Sequence, residues 1–437
     1  MRLTPNFTLD VVHRTKAGGR STCYLNFNKT NTHMMASHYW DAKISCFRVD
    51  DGTGRVGDAP RSVLSQPAAE AYLEHSKPTR EEHWQYRQKW PHSHCVVTEP
   101  YHGFVHFVVD LGLDCVFAYR VDSKNGVLVK KGQVKLPKGK GPRHLVFHPT
   151  RRAAYLVNEL DSTVSCFKVN IPEGWVRSSD VGGEEHLECH CETPGSILEL
   201  TANLSSLPIS EQGKTTISPE GVWKAKSHSS EIRVHPSGQF LVVGNRGDDS
   251  IAAFRVTDFA GHNGSGVNNS SEQAGETSLL ASGNNSGGIQ LVNITKSGGE
   301  CPRNFNWAGG GRYLVVGNQN SSTVCVFGFD AQTGLVTTEP LFKLNVASPN
   351  YVFAQPFRDA VTCHGESGIT VESSAMAVEH ADVLECGAWR APRDDTVGAR
   401  ERMPVGRDIG EHRRSKRPRG GGAGADRVGC GREQGKW

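Results

Sequence analysis

The sequence predicts an all-β chain folded as a β-propeller, and three observations predict it. A motif recurs five times, over residues 19–47, 92–119, 141–167, 228–254 and 300–327, with nearly constant internal spacing. Each copy alternates apolar runs rich in Val, Ile, Leu and aromatic residues with Gly, Pro, Asn and Asp turns, and no segment sustains a 3.6-residue apolar period. The interval between the third-strand anchors Val116 and Val164 is 48 residues, close to the length of one four-stranded propeller blade.

The elements follow in order within each copy. A first strand carries an apolar anchor at Leu25, Leu145, Ile232 or Phe305; thirteen residues later a second strand ends on His38, Asn158, Asn245 or Asn318. Six residues further on, a third strand is anchored by Ile44, Val164, Ile251 or Val324. In the second copy Val96 to Asp110 is one residue longer, and Asp110 to Val116 is again six. The other anchor intervals, 72, 87 and 73 residues, point to insertions near residues 50–90, 171–228 and 258–288. The last is rich in Gly, Ser and Asn and lacks the apolar content to offset its ordering entropy. A propeller over 1–356 and a disordered basic tail over 357–437 complete the expected organisation.

The chain has 437 residues and a net charge of +3. From Gly387 to Trp437 there are 13 Lys/Arg against 7 Asp/Glu, so the tail carries +6 and the rest −3; the body of the chain is not a basic nucleic-acid binder. The RRSKRPRGGG run in the tail resembles a nuclear-localisation or RNA-contacting segment by composition only. No apolar run approaches 18 residues and the first twenty lack the apolar stretch of a signal peptide, so the expected location is the cytoplasm, with no membrane partner. Twelve scattered cysteines, Cys46, Cys115, Cys166 and Cys325 among them within strands, suit small buried hydrophobes in a reducing compartment. The Asn-x-Ser/Thr triplets at Asn203, Asn263 and Asn320 are then not glycosylation sites.

Aligning the copies exposes two columns of unlike chemistry. Two residues before the first-strand anchor stand Cys23, His94, Arg143, Ser230 and Arg303; just after the second strand's polar end stand Tyr39, Leu111, Glu159, Arg246 and Gln319. Equivalent positions in a propeller lie around one axis, so an imidazole, three guanidiniums and a carboxylate converge on one channel mouth. The alternatives are structural: Arg143 and Glu159 could form an ion pair within one blade, His94 could be a hydrogen-bonded core histidine, and Arg246 could pin its own turn through Asp248 or Asp249. HSHC and the HLECHC cluster (186–191) lack the paired spacing of a zinc site, and no metal or other cofactor is expected.

The strings GPRHLVFHP, LVNELDSTVSCF, EIRVHPSGQFLVVGNRGDDSIAAF and PRNFNWAGGGRYLVVGNQNSSTVCVF resemble the lactonase family of seven-bladed propellers. That family includes the propeller-type 6-phosphogluconolactonases and the fungal carboxymuconate lactonizing enzymes. The resemblance runs from about Gly18 to Val352 and implies a catalytic set of His94, Arg143, Glu159 and Arg246; Arg303, Tyr39 and Gln319, from the same repeat columns, are expected to contact substrate. It further implies hydrolysis of a small anionic lactone, 6-phosphogluconolactone first, in sugar-phosphate metabolism without a cofactor; the alternatives are a carboxymuconate-type lactonizing isomerase and a non-catalytic binding scaffold. Two family repeats that precede the GRSTC unit have no counterpart here, the family's Asn-Tyr-Gly becomes His38-Tyr39-Trp40, and the match stops near Pro356. The chain thus reads as a truncated member with about five blades.

Overall fold

The computed structural model describes residues 2–3, 9–50, 52–67, 87–122, 124–177, 187–207, 227–257, 288–357 and 375–380. Five antiparallel blades follow one another along the chain. The first is formed by Thr22–Phe27, His33–His38, Lys43–Arg48 and Ser62–Ser65, and the second by Ser93–Thr98, Val105–Asp110, Cys115–Asp122 and Val127–Lys135. Pro142–Phe147, Ala153–Asn158, Thr163–Val169 and Leu198–Ser205 make the third. The fourth comprises His228–Val234, Phe240–Arg246, Ser250–Val256 and Ile289–Lys296, and the fifth Pro302–Ala308, Tyr313–Asn318, Thr323–Gly328 and Phe342–Asn345. Val352–Phe357 then packs beside the fifth blade's first strand and pairs with Ala375–His380.

The first strands of successive blades lie side by side, which places them around the axis. Their anchors sit between blades: Val96, Leu145, Ile232 and Phe305 are all fully buried. Apolar clusters fill every junction from the first blade to Val352, and Trp175 and Ile197 extend the one between the second and third blades. Burial of such side chains, at about 25 cal/mol per Å² of apolar surface, is what holds one blade to the next.

The insertions require correction. The stretch 171–228 is not all insertion: it contains a short helix, Glu173–Arg177, and Leu198–Ser205, the third blade's fourth strand. Leu187–His190 adds a fifth strand, parallel, to the outer edge of the second blade. Likewise the segment after residue 50 supplies Ser62–Ser65 to the first blade. Leu198–Ser205 in fact alternates Leu198, Leu200, Ala202 and Leu204 with polar residues, the pattern of a half-buried strand. Residues 258–287 and most of the tail lie outside the described residues.

In the fourth and fifth blades the polar residue closing the second strand staples its blade to what precedes it, whereas Asn158 and His38 bond within their own blades. Asn245 Nδ2 donates to the Ser206 carbonyl (2.7 Å) and Asn318 Nδ2 to that of Ser297 (2.8 Å), each at the exit of the preceding blade's fourth strand. Asp110 instead accepts from the backbone N–H groups of His92, Gly112 and Leu113, which shapes the turn beside the site. Among the described residues no helix is long and apolar enough to cross a membrane.

Candidate active site at the blade mouths

The column that stands two residues before each anchor has a backbone cause. In four first strands the register slips there, between Thr22 and Tyr24, Ser93 and Cys95, Pro142 and His144, and Pro302 and Asn304. Cys23, His94, Arg143 and Arg303 are therefore the extra residues of β-bulges, freed from the ladder and re-aimed. The fourth blade carries the same slip between Ser229 and Ile232, taking in Ser230 and Glu231.

Glu159, just beyond the third blade's second strand, is the centre of the arrangement. Its Oε1 lies 2.8 Å from Arg246 Nη2 and its Oε2 3.0 Å from Arg143 Nε, while Arg87 closes on Oε1 from the connection into the second blade. The Arg143 contact is a charge contact rather than an aligned hydrogen bond. Burial pushes the carboxyl upward, but Arg246, Arg87 and Arg143 outweigh it and hold Glu159 well below the usual range. The pair inside one blade thus exists, as part of a larger cluster spanning the third and fourth blades. Arg246 does not pin its own turn; its Nη2 donates to the Ser229 carbonyl at 3.1 Å and faces Glu159.

The other expected residues join the same cluster. His94 is buried, its ring 5.5 Å from that of Tyr39 and 5.1 Å from that of His144. Its Nδ1 has no hydrogen-bond partner. Burial, then Arg143 and His144, draw the imidazole well below its ordinary pKa, so it is neutral at pH 7. Tyr39 stacks on His92 at 4.4 Å and bonds Arg87 through its hydroxyl. Arg303 Nη1 donates to Gln319 Oε1 (3.3 Å), and Gln319 Nε2 to Asn350 Oδ1 (2.6 Å). Cys23 remains a thiol, because burial lifts it to about 11.

Sequence reasoning missed Arg87 and His228. Arg87 lies on a connection rather than in the repeat, so no column marks it. His228 opens the fourth blade's first strand and pairs in the ladder with Arg246; burial and that guanidinium keep it neutral. Also missed was the column one residue before each anchor, Tyr24, Cys95, His144, Glu231 and Asn304, which forms a second layer against the first. There His144 Nδ1 is 3.0 Å from Glu231 Oε1, Asn304 Nδ2 donates to Glu231, and the Tyr24 ring meets His144 edge-on at 5.1 Å. Among the described residues no group of three or more His, Cys, Asp or Glu converges in metal-binding geometry.

The family model "Lactonase, 7-bladed beta-propeller" matches residues 1–181, 184–263 and 261–353. The chain is 27% identical over 323 residues to the 6-phosphogluconolactonase of Bacillus subtilis strain 168, a match covering 74% of this chain and 70% of that one. Among solved structures, a Bacteroides fragilis protein provisionally called a 6-phosphogluconolactonase superposes with a TM-score of 0.53 at 24% identity, over 79% of this chain and 76% of that one. The Pseudomonas aeruginosa periplasmic gluconolactonase PpgL aligns with a TM-score of 0.50 at 24% identity, over 75% and 71%. These two structures support the fold. With its repeats, its bulged first strands and a family match across most of its length, the chain belongs to the lactonase family of seven-bladed β-propellers.

Proposed function

We propose that the chain hydrolyses the lactone of an anionic sugar acid, 6-phosphogluconolactone first among candidates, at the cluster around Glu159. The observation that carries this reading is the charge of the cluster: four guanidiniums, Arg87, Arg143, Arg246 and Arg303, gather around a single carboxylate. Such an excess of fixed positive charge suits a phosphate or carboxylate on the substrate and the oxyanion that forms during attack.

The division of labour follows from protonation states. Glu159 is held ionised by three cations and is a weak base, so its part is to position the guanidiniums. Burial makes His94 a weaker base than a free imidazole, but it is neutral and its Nδ1 carries no partner whereas both Glu159 oxygens face guanidiniums, so His94 is the group left to take a proton from water. Water oxygen attacks the lactone carbonyl carbon, and Arg143 and Arg246 stabilise the oxyanion. The ring C–O bond then breaks and the departing alkoxide takes the proton back from His94. The buried free cysteines, Cys46, Cys95, Cys166 and Cys325 among them, agree with a reducing compartment, and we place the activity in the cytoplasm.

One observation favours a non-catalytic scaffold instead: Glu159 is already saturated by three guanidiniums. Hydrolysis of freshly generated 6-phosphogluconolactone, followed against its spontaneous opening, decides. Acceleration is expected, with His94→Ala abolishing it and Arg143→Ala or Arg246→Ala raising KM and lowering kcat. A folded wild-type chain giving no acceleration would reject the lactonase reading; muconate turnover instead would identify the isomerase.

A further inference from the structure

The second layer of polar residues does more than fill the channel. Arg143 has two kinds of neighbour. Towards the mouth its Nε faces Glu159; below it, Nη1 lies 3.1 Å from His144 Nε2 and 3.3 Å from Nδ1, and also donates to the Ser230 carbonyl. His144 in turn contacts Glu231 through Nδ1 at 3.0 Å. Glu231 is buried and carries Arg233 (3.5 Å) and the Asn304 amide on its other oxygen.

These contacts determine the state of the ring. A guanidinium can only donate, and an ionised carboxylate can only accept. Glu231 is ionised, for although burial opposes it, Arg233 and His144 hold its carboxyl at about 2. Nη1 of Arg143 is nearly equidistant from the two ring nitrogens and so lies over the ring face, and His144 suits both neighbours as a neutral ring whose Nδ1 proton is donated to Glu231 and whose Nε2 is bare. A cationic ring would set two positive charges against each other, and the Nε2–H tautomer would turn the bare Nδ1 lone pair to an ionised carboxylate. Burial and Arg143 lower the His144 pKa to about 4, which agrees with the neutral form.

We propose that Glu231 and His144 are positioning residues for Arg143: Glu231 selects the Nδ1–H tautomer of His144 and holds its ring, and the face of that neutral ring supports the Arg143 guanidinium at the channel mouth. Where Arg143 acts on an anionic lactone, this rests on the functional reading above; the orientation itself does not. The chain Glu231, His144, Arg143 joins the fourth blade's bulge to the third blade's, so the two blades share one rigid guanidinium.

The test uses the intact chain and two independent readouts. Histidine 15N spectra, with His144 assigned through His144→Gln, are expected to show Nδ1 protonated and Nε2 bare from pH 5 to 8 in the wild type. In Glu231→Ala the ring should redistribute toward Nε2–H, and in Glu231→Gln, whose carbonyl still accepts, it should stay as in the wild type. Affinity for 6-phosphogluconate by calorimetry, and kcat/KM where turnover is found, should drop by up to about 100-fold in Glu231→Ala and largely recover in Glu231→Gln. A wild-type His144 that is cationic or protonated on Nε2 would overturn the proposal without any variant needing to fold. So would a Glu231→Ala chain of native circular dichroism whose tautomer and affinity are unchanged. A wild type without lactonase activity but with the expected tautomer would refute the functional reading and leave the positioning chain standing.

Discussion

Glu159 is the residue on which the site's charge balance turns. Three guanidiniums share its two buried oxygens, so removing its charge leaves Arg87, Arg143 and Arg246 repelling one another out of reach of bulk water. Breaking a buried ion pair costs roughly 3 to 5 kcal/mol. Glu159→Gln is accordingly expected to lower unfolding stability by about that much in urea titrations. A loss below about 1 kcal/mol would mean that the guanidiniums find other partners or water. His94 differs from Glu159 in that nothing holds its Nδ1. Both positions were legible in the sequence as columns of the repeat. The state of each was not, since a pKa depends on neighbours brought from other blades.

At the scale of elements, the bulge is the device that makes the site. One extra residue in each first strand turns His94, Arg143 and Arg303 out of the ladder, while the neighbouring anchors stay in the inter-blade core. Neighbouring turns hold the bulges in place. Gly112, whose N–H caps Asp110, packs against the Trp90 carbonyl so closely that a methyl group there would overlap it. Gly112→Ala must therefore displace the segment that runs from Arg87 through His92 to His94. A stability loss of about 1 to 3 kcal/mol is expected, as for overpacking elsewhere, and the lactonase assay should fall with it. Unchanged stability and turnover would show that this turn does not control the site. The fourth strands also had a signal that went unread: Asp50, Asp122 and Asp330 each begin an Asp-x-x-Thr/Asn-Gly turn, with Gly54, Gly126 and Gly334 at φ of 68°, 69° and 84°. Left-handed glycine after an Asp cap announces a hairpin into the next strand.

Over the whole molecule, burial is uneven from one blade to the next. Leu25 is 54% exposed where its repeat equivalents Leu145, Ile232 and Phe305 are 0%, and Phe27 beside it is 45% exposed. The first blade thus shows, among the described residues, an apolar face that in the other blades is covered. Leu145→Ala should cost about 2 to 5 kcal/mol, the range for a filled core position, and Leu25→Ala well under that. Equal losses at the two positions would mean that Leu25 is covered in solution. Stability should also depend on pH through the buried imidazoles. His94, His106, His144 and His228 are all lowered by burial, so below about pH 6.5 the unfolded chain binds protons that the fold does not. Asp110 and Asp114, raised to about 6 by burial, and Asp161, also raised by burial, act the other way above their ordinary value, but with His33, His38, His148 and His235 also lowered they are three carboxyls against eight imidazoles. The urea midpoint is therefore expected to rise from pH 4.5 to 6.5. A flat or falling midpoint would show that the imidazoles are charged in the folded state.

What the sequence by itself determined is the repeating unit: apolar anchors at fixed spacing, a polar residue closing each second strand, and from these the blades, their order and the columns that face the axis. A repeat is local, so its pattern survives in one dimension. Only the tertiary structure decided that Arg143 and Arg246 of different blades meet on one carboxylate and that Arg87 joins them from a connection. It alone set His144 between Glu231 and Arg143, and made edge strands of segments 62–65 and 198–205. The reason is physical: charge pairing, tautomer and desolvation here depend on distances between residues of different blades, and the edge strands on pairing across the connections that precede them. No spacing within a single unit records such distances.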